Sequence, residues 1–155
     1  MNQYIEKLLF KLRTEFLIYF VLIVIFAILG FTRVIPNGIF VVQNGANTEY
    51  LINVAAIAVS FIAVLSAFKL FRLNTEQNIK RYTLDDAVAL YHKWSLVRII
   101  LMFLASAAPL AAHFLTLNDT GIFSAVICIL LSFIFCIPAK DKIKNYLEKL
   151  QQEHN

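Results

Sequence analysis

Four long apolar stretches dominate the pattern of hydrophobic and polar residues along the chain. They cover residues 16–35, 51–71, 94–117 and 121–138. A helix needs about 20 largely apolar residues to cross roughly 30 Å of hydrocarbon, since each residue rises about 1.5 Å. Each stretch is long enough, the fourth with the least to spare. The pattern predicts an all-α fold, an integral membrane four-helix bundle.

Polar residues are few inside these stretches and lie mainly near their ends. Asn53 lies near one end of the second stretch, and Lys69 lies at the other end, where its ammonium group can reach the membrane surface. The third stretch contains Arg98 one turn from its start, Pro109 in its interior and His113 near its end. We expect Arg98 to extend to the cytoplasmic headgroups.

The composition supports a membrane protein and excludes several other classes. Of the 155 residues, 60% are hydrophobic and 15% charged, against about 45–50% and 25% in soluble domains. Two cysteines cannot build a disulfide scaffold. We expect residues 1–155 to form one domain.

The distribution of basic residues predicts the orientation in the membrane. Three precede the first stretch, six surround the second loop and four follow the fourth stretch, which leaves Arg33 alone on the opposite side. Because Lys and Arg are retained in cytoplasmic loops, this pattern predicts that both termini are cytoplasmic. The net charge of +4 therefore requires no nucleic-acid partner. The first stretch is longer than a secretory signal and lacks an A-x-A-like cleavage site, so we expect it to be retained.

Both termini show the spacing of short amphipathic helices with cationic polar faces. Their apolar positions are Ile5, Leu8, Leu9 and Leu12 at the start, and Ile143, Tyr146, Leu147 and Leu150 at the end. Helices of this kind lie on anionic lipid or on a partner protein.

The segments between the stretches contain three local signals. Thr83 to Asp86 has the spacing of a capping box, so the third helix is predicted to begin at Leu84. The outer segment 36–50 forms either a small hairpin around Asn44-Gly45 or an ordered loop. Asn118 begins a glycosylation sequon, but its position also suits a helix cap.

Small residues mark the faces on which the helices are expected to pack. The fourth stretch has a stripe at four-residue spacing, formed by Ser124, Cys128, Ser132 and Cys136. Comparable faces are Ala56, Ser60, Ala63 and Ala67 on the second stretch, and Ala105, Ala108 and Ala112 on the third. Small residues allow close contact between helices in lipid, so we expect these faces to meet and the first helix to contact the most lipid. The alternative is that the stripe lines a polar conduction path.

Few residues in the sequence could take part in catalysis, proton transfer or metal binding. His113 is the one titratable group well inside a stretch, and it either makes a local polar contact, with backbone, water or Asp119, or takes part in a proton relay. His92 lies in a segment expected to be solvated. No catalytic, cofactor-binding or metal-binding motif is found in the sequence, so we expect no enzymatic activity and no cofactor.

Carboxylates are expected to lie outside all four stretches, which disfavours the small four-helix exporters that use a buried glutamate.

A resemblance to known proteins extends over residues 91–150. It rests on Arg98 and on the segments Tyr91-His92-Lys93 and Pro138-Ala-Lys-Asp-Lys-Ile-Lys. On these residues the chain resembles a loose group of uncharacterised small four-helix proteins of the bacterial inner membrane. The resemblance implies that location and no particular activity.

These observations predict an accessory or scaffold protein of the inner membrane that acts through helix–helix contacts. Its expected partners are the lipid bilayer and either another membrane protein or a second copy of itself. The alternative is a subunit of an oligomeric small transporter or channel that uses the Ser124-to-Cys136 stripe and His113. A lipid-modifying enzyme is the third hypothesis, but no paired acid and base support it.

Overall fold

Helices make up nearly all of the chain that the structure describes. The computed structural model describes residues 2–32, 34, 38, 45–76 and 84–154, and these residues contain no strand. The helices are α1 (Asn2–Phe31), α2 (Gly45–Glu76), α3 (Leu84–Thr116), α4 (Asp119–Cys136) and α5 (Lys140–His154). The prediction of an all-α fold is confirmed.

Four of these helices are long and apolar enough to cross a membrane. The candidate spans are Ile5–Phe31, Asn47–Thr75, Asp86–Thr116 and Asp119–Cys136. Each contains most of one predicted stretch, so the four apolar spans are confirmed by length and composition. The first three helices extend beyond the predicted stretches, mainly at the end of the bundle that holds both chain termini, which we call the terminal end. The other end is called the turn end.

Helix α3 lies at the centre of the bundle and packs against α1, α2 and α4. Two of its small residues, Ala105 and Ser106, are completely buried. Pro109 lies inside α3 and has no N–H to donate to the carbonyl of Ala105 four residues earlier. Ser60 of α2 donates its hydroxyl to this carbonyl at 2.8 Å and shares that proton with the Ala56 carbonyl of its own helix at 2.9 Å. A neighbouring helix therefore supplies the hydrogen bond that the proline cannot make.

The two amphipathic segments meet at the terminal end. Their buried residues form one cluster with two residues of α3; its members are Ile5, Leu8, Leu12, Ala87, Tyr91, Ile143, Tyr146 and Leu147. The apolar faces predicted to lie on lipid or a partner thus cover each other. The N-terminal segment is also the first part of α1 rather than a separate helix, because residues 12–16 contain neither Gly nor Pro to end it.

A two-residue connection joins α3 to α4 at the turn end. Leu117 has a left-handed backbone with φ of 57°, and Asn118 accepts a hydrogen bond from the Thr120 N–H at 2.9 Å. The predicted helix cap at Asn118 is confirmed. Gly121 lies so close to α3 that an added Cβ would overlap the carbonyl oxygen of Pro109 and the Cβ of His113.

The structure corrects one loop prediction and confirms one helix start. Helix α3 begins at Leu84 as predicted, whereas Thr83 lies outside the described residues. Helix α2 begins at Gly45, so a hairpin centred on Asn44-Gly45 is wrong; residues 39–44 lie outside the described part. Glycine is well tolerated at a helix start, and no helix-breaking residue follows it before Glu49.

Candidate functional site

The small-residue faces of α2, α3 and α4 lie together in the bundle interior. Two buried clusters join them, with Ala63, Ala105 and Cys128 in one and Ala67, Met102 and Cys136 in the other. Three members of the α4 stripe, Cys128, Ser132 and Cys136, are buried, and Ser124 is half-buried. The stripe thus faces helices of its own chain over most of its length.

Tyr19 joins three helices through its hydroxyl group. The Tyr19 oxygen lies 3.3 Å from Ser106 Oγ on α3 and 3.0 Å from Ser132 Oγ on α4. Each serine is also within hydrogen-bond distance of a carbonyl of its own helix, Met102 O at 2.9 Å and Ile129 O at 2.6 Å. Three hydroxyl protons serve these four contacts, so the protons must be shared among alternative arrangements. We call Tyr19, Ser106 and Ser132 the hydroxyl cluster.

A second group of polar contacts ties α2 to the turn end of α3 and α4. Asn53 donates its amide to Thr116 Oγ1 at 3.2 Å and to the backbone carbonyl of Glu49. The side-chain amide of Asn118 donates to a Glu49 carboxylate oxygen at 2.8 Å. The residue that caps α4 therefore also anchors the start of α2.

His113 lies in this region, and its exposed fraction is only 8%. Its Nδ1 is 2.9 Å from the backbone carbonyl oxygen of Asn118, so the ring is placed to donate a proton to that acceptor. Phe31 and Phe114 contact the ring at centroid distances of 6.2 and 5.6 Å. Of the contacts foreseen for His113, the structure has the one to the backbone.

The terminal end contains an acid–histidine pair that the sequence patterns did not predict. Glu15 Oε1 lies 2.7 Å from His92 Nε2, and only 18% and 20% of the two side chains are exposed. Glu15 falls within the first candidate span. The expectation that His92 is solvated is therefore wrong. Glu15 lies outside the predicted stretch 16–35, and the candidate span includes it because that span is longer than the stretch.

The sequence does contain a signal that Glu15 has a polar partner, although it does not identify His92. Glu15 lies on the same helical face as Leu8, Leu12, Tyr19 and Ile23, since these positions repeat at three- and four-residue intervals. All four neighbours are buried. A carboxylate within such an apolar face indicates a polar partner on an adjacent helix.

Arg98 packs against an aromatic ring of a neighbouring helix, while its extension to the cytoplasmic headgroups stays a prediction. Its guanidinium carbon lies 4.1 Å from the centre of the Phe71 ring on α2, a cation–π contact. Among the described residues, its buried Nε has no hydrogen-bond partner, and the same holds for Ser95 Oγ. The side chain is held between helices because an aromatic ring lies within its reach.

Within the described ranges, no group of three His, Cys, Asp or Glu residues is arranged to hold a metal ion. Cys128 and Cys136 are both free thiols. No known protein family, curated protein or solved structure matches the chain. The candidate site is consequently defined by its own contacts, namely the hydroxyl cluster, His113 and the Glu15–His92 pair.

Proposed function

We propose that the chain crosses the bacterial inner membrane four times, with both termini in the cytoplasm. Four candidate spans support this topology, as does the packing of the α1 start against α5 at one end of the bundle. Helices of 30 to 33 residues are about 45–50 Å long, so they extend beyond a hydrocarbon core of roughly 30 Å. Most basic residues lie in or beside these extensions, which favours the cytoplasm for the terminal end.

We further propose that the protein is an accessory or scaffold protein acting through helix–helix contacts. The observation that carries this proposal is the hydroxyl cluster, in which the central polar groups of three helices bind each other. Such contacts hold helices together in lipid. The outward faces of α1 and α2 carry large apolar residues, including Leu17 and Phe61, that are more than 60% exposed and available to another membrane protein or a second copy.

The transporter or channel hypothesis needs the α4 stripe to line a path between subunits. Cys128, Ser132 and Cys136 instead pack within the monomer. His113 is bonded to a neighbouring backbone carbonyl, as a structural histidine would be. Both observations favour the scaffold proposal.

Reconstituted protein is expected to produce no ion or proton flux above that of empty liposomes. The measurement is dye-reported flux at pH ~5.5 and ~7.5, values between which histidine side chains commonly change charge. His113→Asn retains a hydrogen-bond donor for the Asn118 carbonyl but cannot titrate in this range. Flux that occurs with the native protein and disappears in His113→Asn would replace the scaffold proposal with a conducting one.

A further inference from the structure

A small, partly enclosed cavity lies at the terminal end, where α3 packs beside the connection between α4 and α5. Its lining includes Ser95 and Arg98 of α3, Cys136 and Ile137 at the end of α4, and Lys142 of α5. The cavity volume is about 10 Å³, enough for one water-sized atom. Ile137 is 42% exposed and Lys142 is exposed as well. The mouth of the cavity therefore lies where the apolar end of α4 meets the basic start of α5.

Two buried donors on the residues lining this cavity have no partner. Ser95 is only 2% exposed, and among the described residues neither its Oγ nor the Nε of Arg98 has a hydrogen-bond partner. The two residues lie three positions apart on α3 and so share a face of that helix. The Phe71 ring that contacts the guanidinium group has no lone-pair acceptor for its N–H donors. Both side chains therefore need an acceptor.

The charges around the cavity are of one sign in the described part of the chain. Arg98 and Lys142 line it, and no carboxylate does. Polar atoms form a substantial part of the cavity wall. A site with unpaired donors, two cations and no carboxylate selects an anion whose oxygen atoms accept hydrogen bonds.

We propose that this cavity binds a phosphate group. One phosphate oxygen would occupy the cavity and accept from Arg98 and Ser95, since the space suits a single atom. The other oxygens would lie at the mouth beside Lys142, whose exposed side chain can adjust to them. Arginine and lysine are both common phosphate ligands.

The surroundings of the mouth favour the head group of an anionic lipid over free phosphate. Ile137 lies beside the mouth and is partly exposed, so it offers apolar surface to an acyl chain. Basic pockets between membrane helices on the cytoplasmic side bind anionic head groups. This choice of source uses the topology proposed above, whereas the phosphate site itself depends on neither the topology nor the scaffold role.

The test measures binding of three probes to the full chain in dodecyl maltoside, a detergent without phosphate, by native mass spectrometry. The probes are dioctanoyl phosphatidic acid, dioctanoylglycerol and inorganic phosphate. We expect one phosphatidic acid per chain, bound about tenfold or more tightly than dioctanoylglycerol, which lacks only the phosphate. Inorganic phosphate should bind at least about tenfold more weakly than phosphatidic acid if the source is a lipid, and equally tightly if it is free phosphate. Equal binding of phosphatidic acid and dioctanoylglycerol would overturn the proposal.

Two matched lysine variants locate the site. Lys142→Gln and Lys144→Gln remove the same charge from exposed positions of α5, but of the two only Lys142 lines the cavity; Lys144 pairs with Glu148 at 3.6 Å. Lys142→Gln should weaken phosphatidic acid binding about threefold, as expected for an exposed ion pair, and Lys144→Gln should bind like the native protein. Native affinity in Lys142→Gln, or equal loss in both variants, would overturn the proposal.

Arg98→Gln should weaken binding about tenfold or more, because it removes the charge and donors nearest the cavity. Its thermal unfolding is measured first, since the variant also loses the contact with Phe71. If Arg98→Gln does not fold, the two lysine variants decide the question. A folded Arg98→Gln protein with native affinity would show that the phosphate binds elsewhere and would overturn the proposal.

Discussion

Replacing Gly121 with alanine is expected to destabilise the protein by about 1–3 kcal/mol, the usual cost of forcing an extra methyl group into a packed interface. The new Cβ would overlap the Pro109 carbonyl oxygen and the His113 Cβ. Both obstacles are part of α3 or lie directly on it, so rotation of a flexible side chain cannot relieve the overlap. Helix α4 would have to move away from α3 at the turn end.

The direction of this effect is informative because helix propensity alone predicts the opposite sign. Alanine is favoured over glycine by about 1 kcal/mol in a helix interior. Thermal unfolding in detergent is the measurement, and Val126→Ile is the control because it adds one methyl group to a half-exposed residue of the same helix. A Gly121→Ala protein as stable as the control would show that the two helices do not approach closely.

Ser132→Leu is expected to destabilise the bundle by about 2–4 kcal/mol, combining overpacking with the loss of an interhelical hydrogen bond. Ser132 is completely buried, and its hydroxyl lies 3.0 Å from that of Tyr19. A leucine side chain would occupy the space of the Tyr19 hydroxyl and separate α4 from α1.

Two matched variants separate the causes of this loss. Ser132→Ala removes the hydroxyl without adding volume and should cost only about 1 kcal/mol. Ile129→Leu conserves volume on the same helix and should cost less than about 1.5 kcal/mol. The measurement is thermal unfolding in detergent. If Ser132→Leu unfolds at the same temperature as Ile129→Leu, the stripe faces lipid and the packing described for α4 is wrong.

Helix positions could be predicted because they depend on local properties of the chain. Runs of apolar residues located all four candidate spans, and the Asn118 cap and the Leu84 start followed from short motifs. The same local reasoning failed at Gly45, since Asn-Gly is common in hairpin turns but glycine is also acceptable at a helix start. The Asn-Gly pair alone does not show whether the residues after it continue as a strand or as a helix.

Contacts between helices were harder to predict because they depend on how each helix is rotated about its axis. Glu15 and His92 are 77 positions apart, and no local pattern pairs them. Pro109 shows that one carbonyl of α3 loses its donor, but only the packing identifies Ser60 as its replacement. The small residues at four-residue spacing were the exception, since they indicate a packing face without specifying the residue opposite.

Reporter fusions test the central claim most directly, because the proposed scaffold role depends on four membrane spans with cytoplasmic termini. A reporter active only outside the cytoplasm should be active when fused after Asn44 or Asn118 and inactive after Gln77 or Gln152. A reporter active only in the cytoplasm should give the reciprocal pattern. External activity after Gln152 would contradict the four-span account.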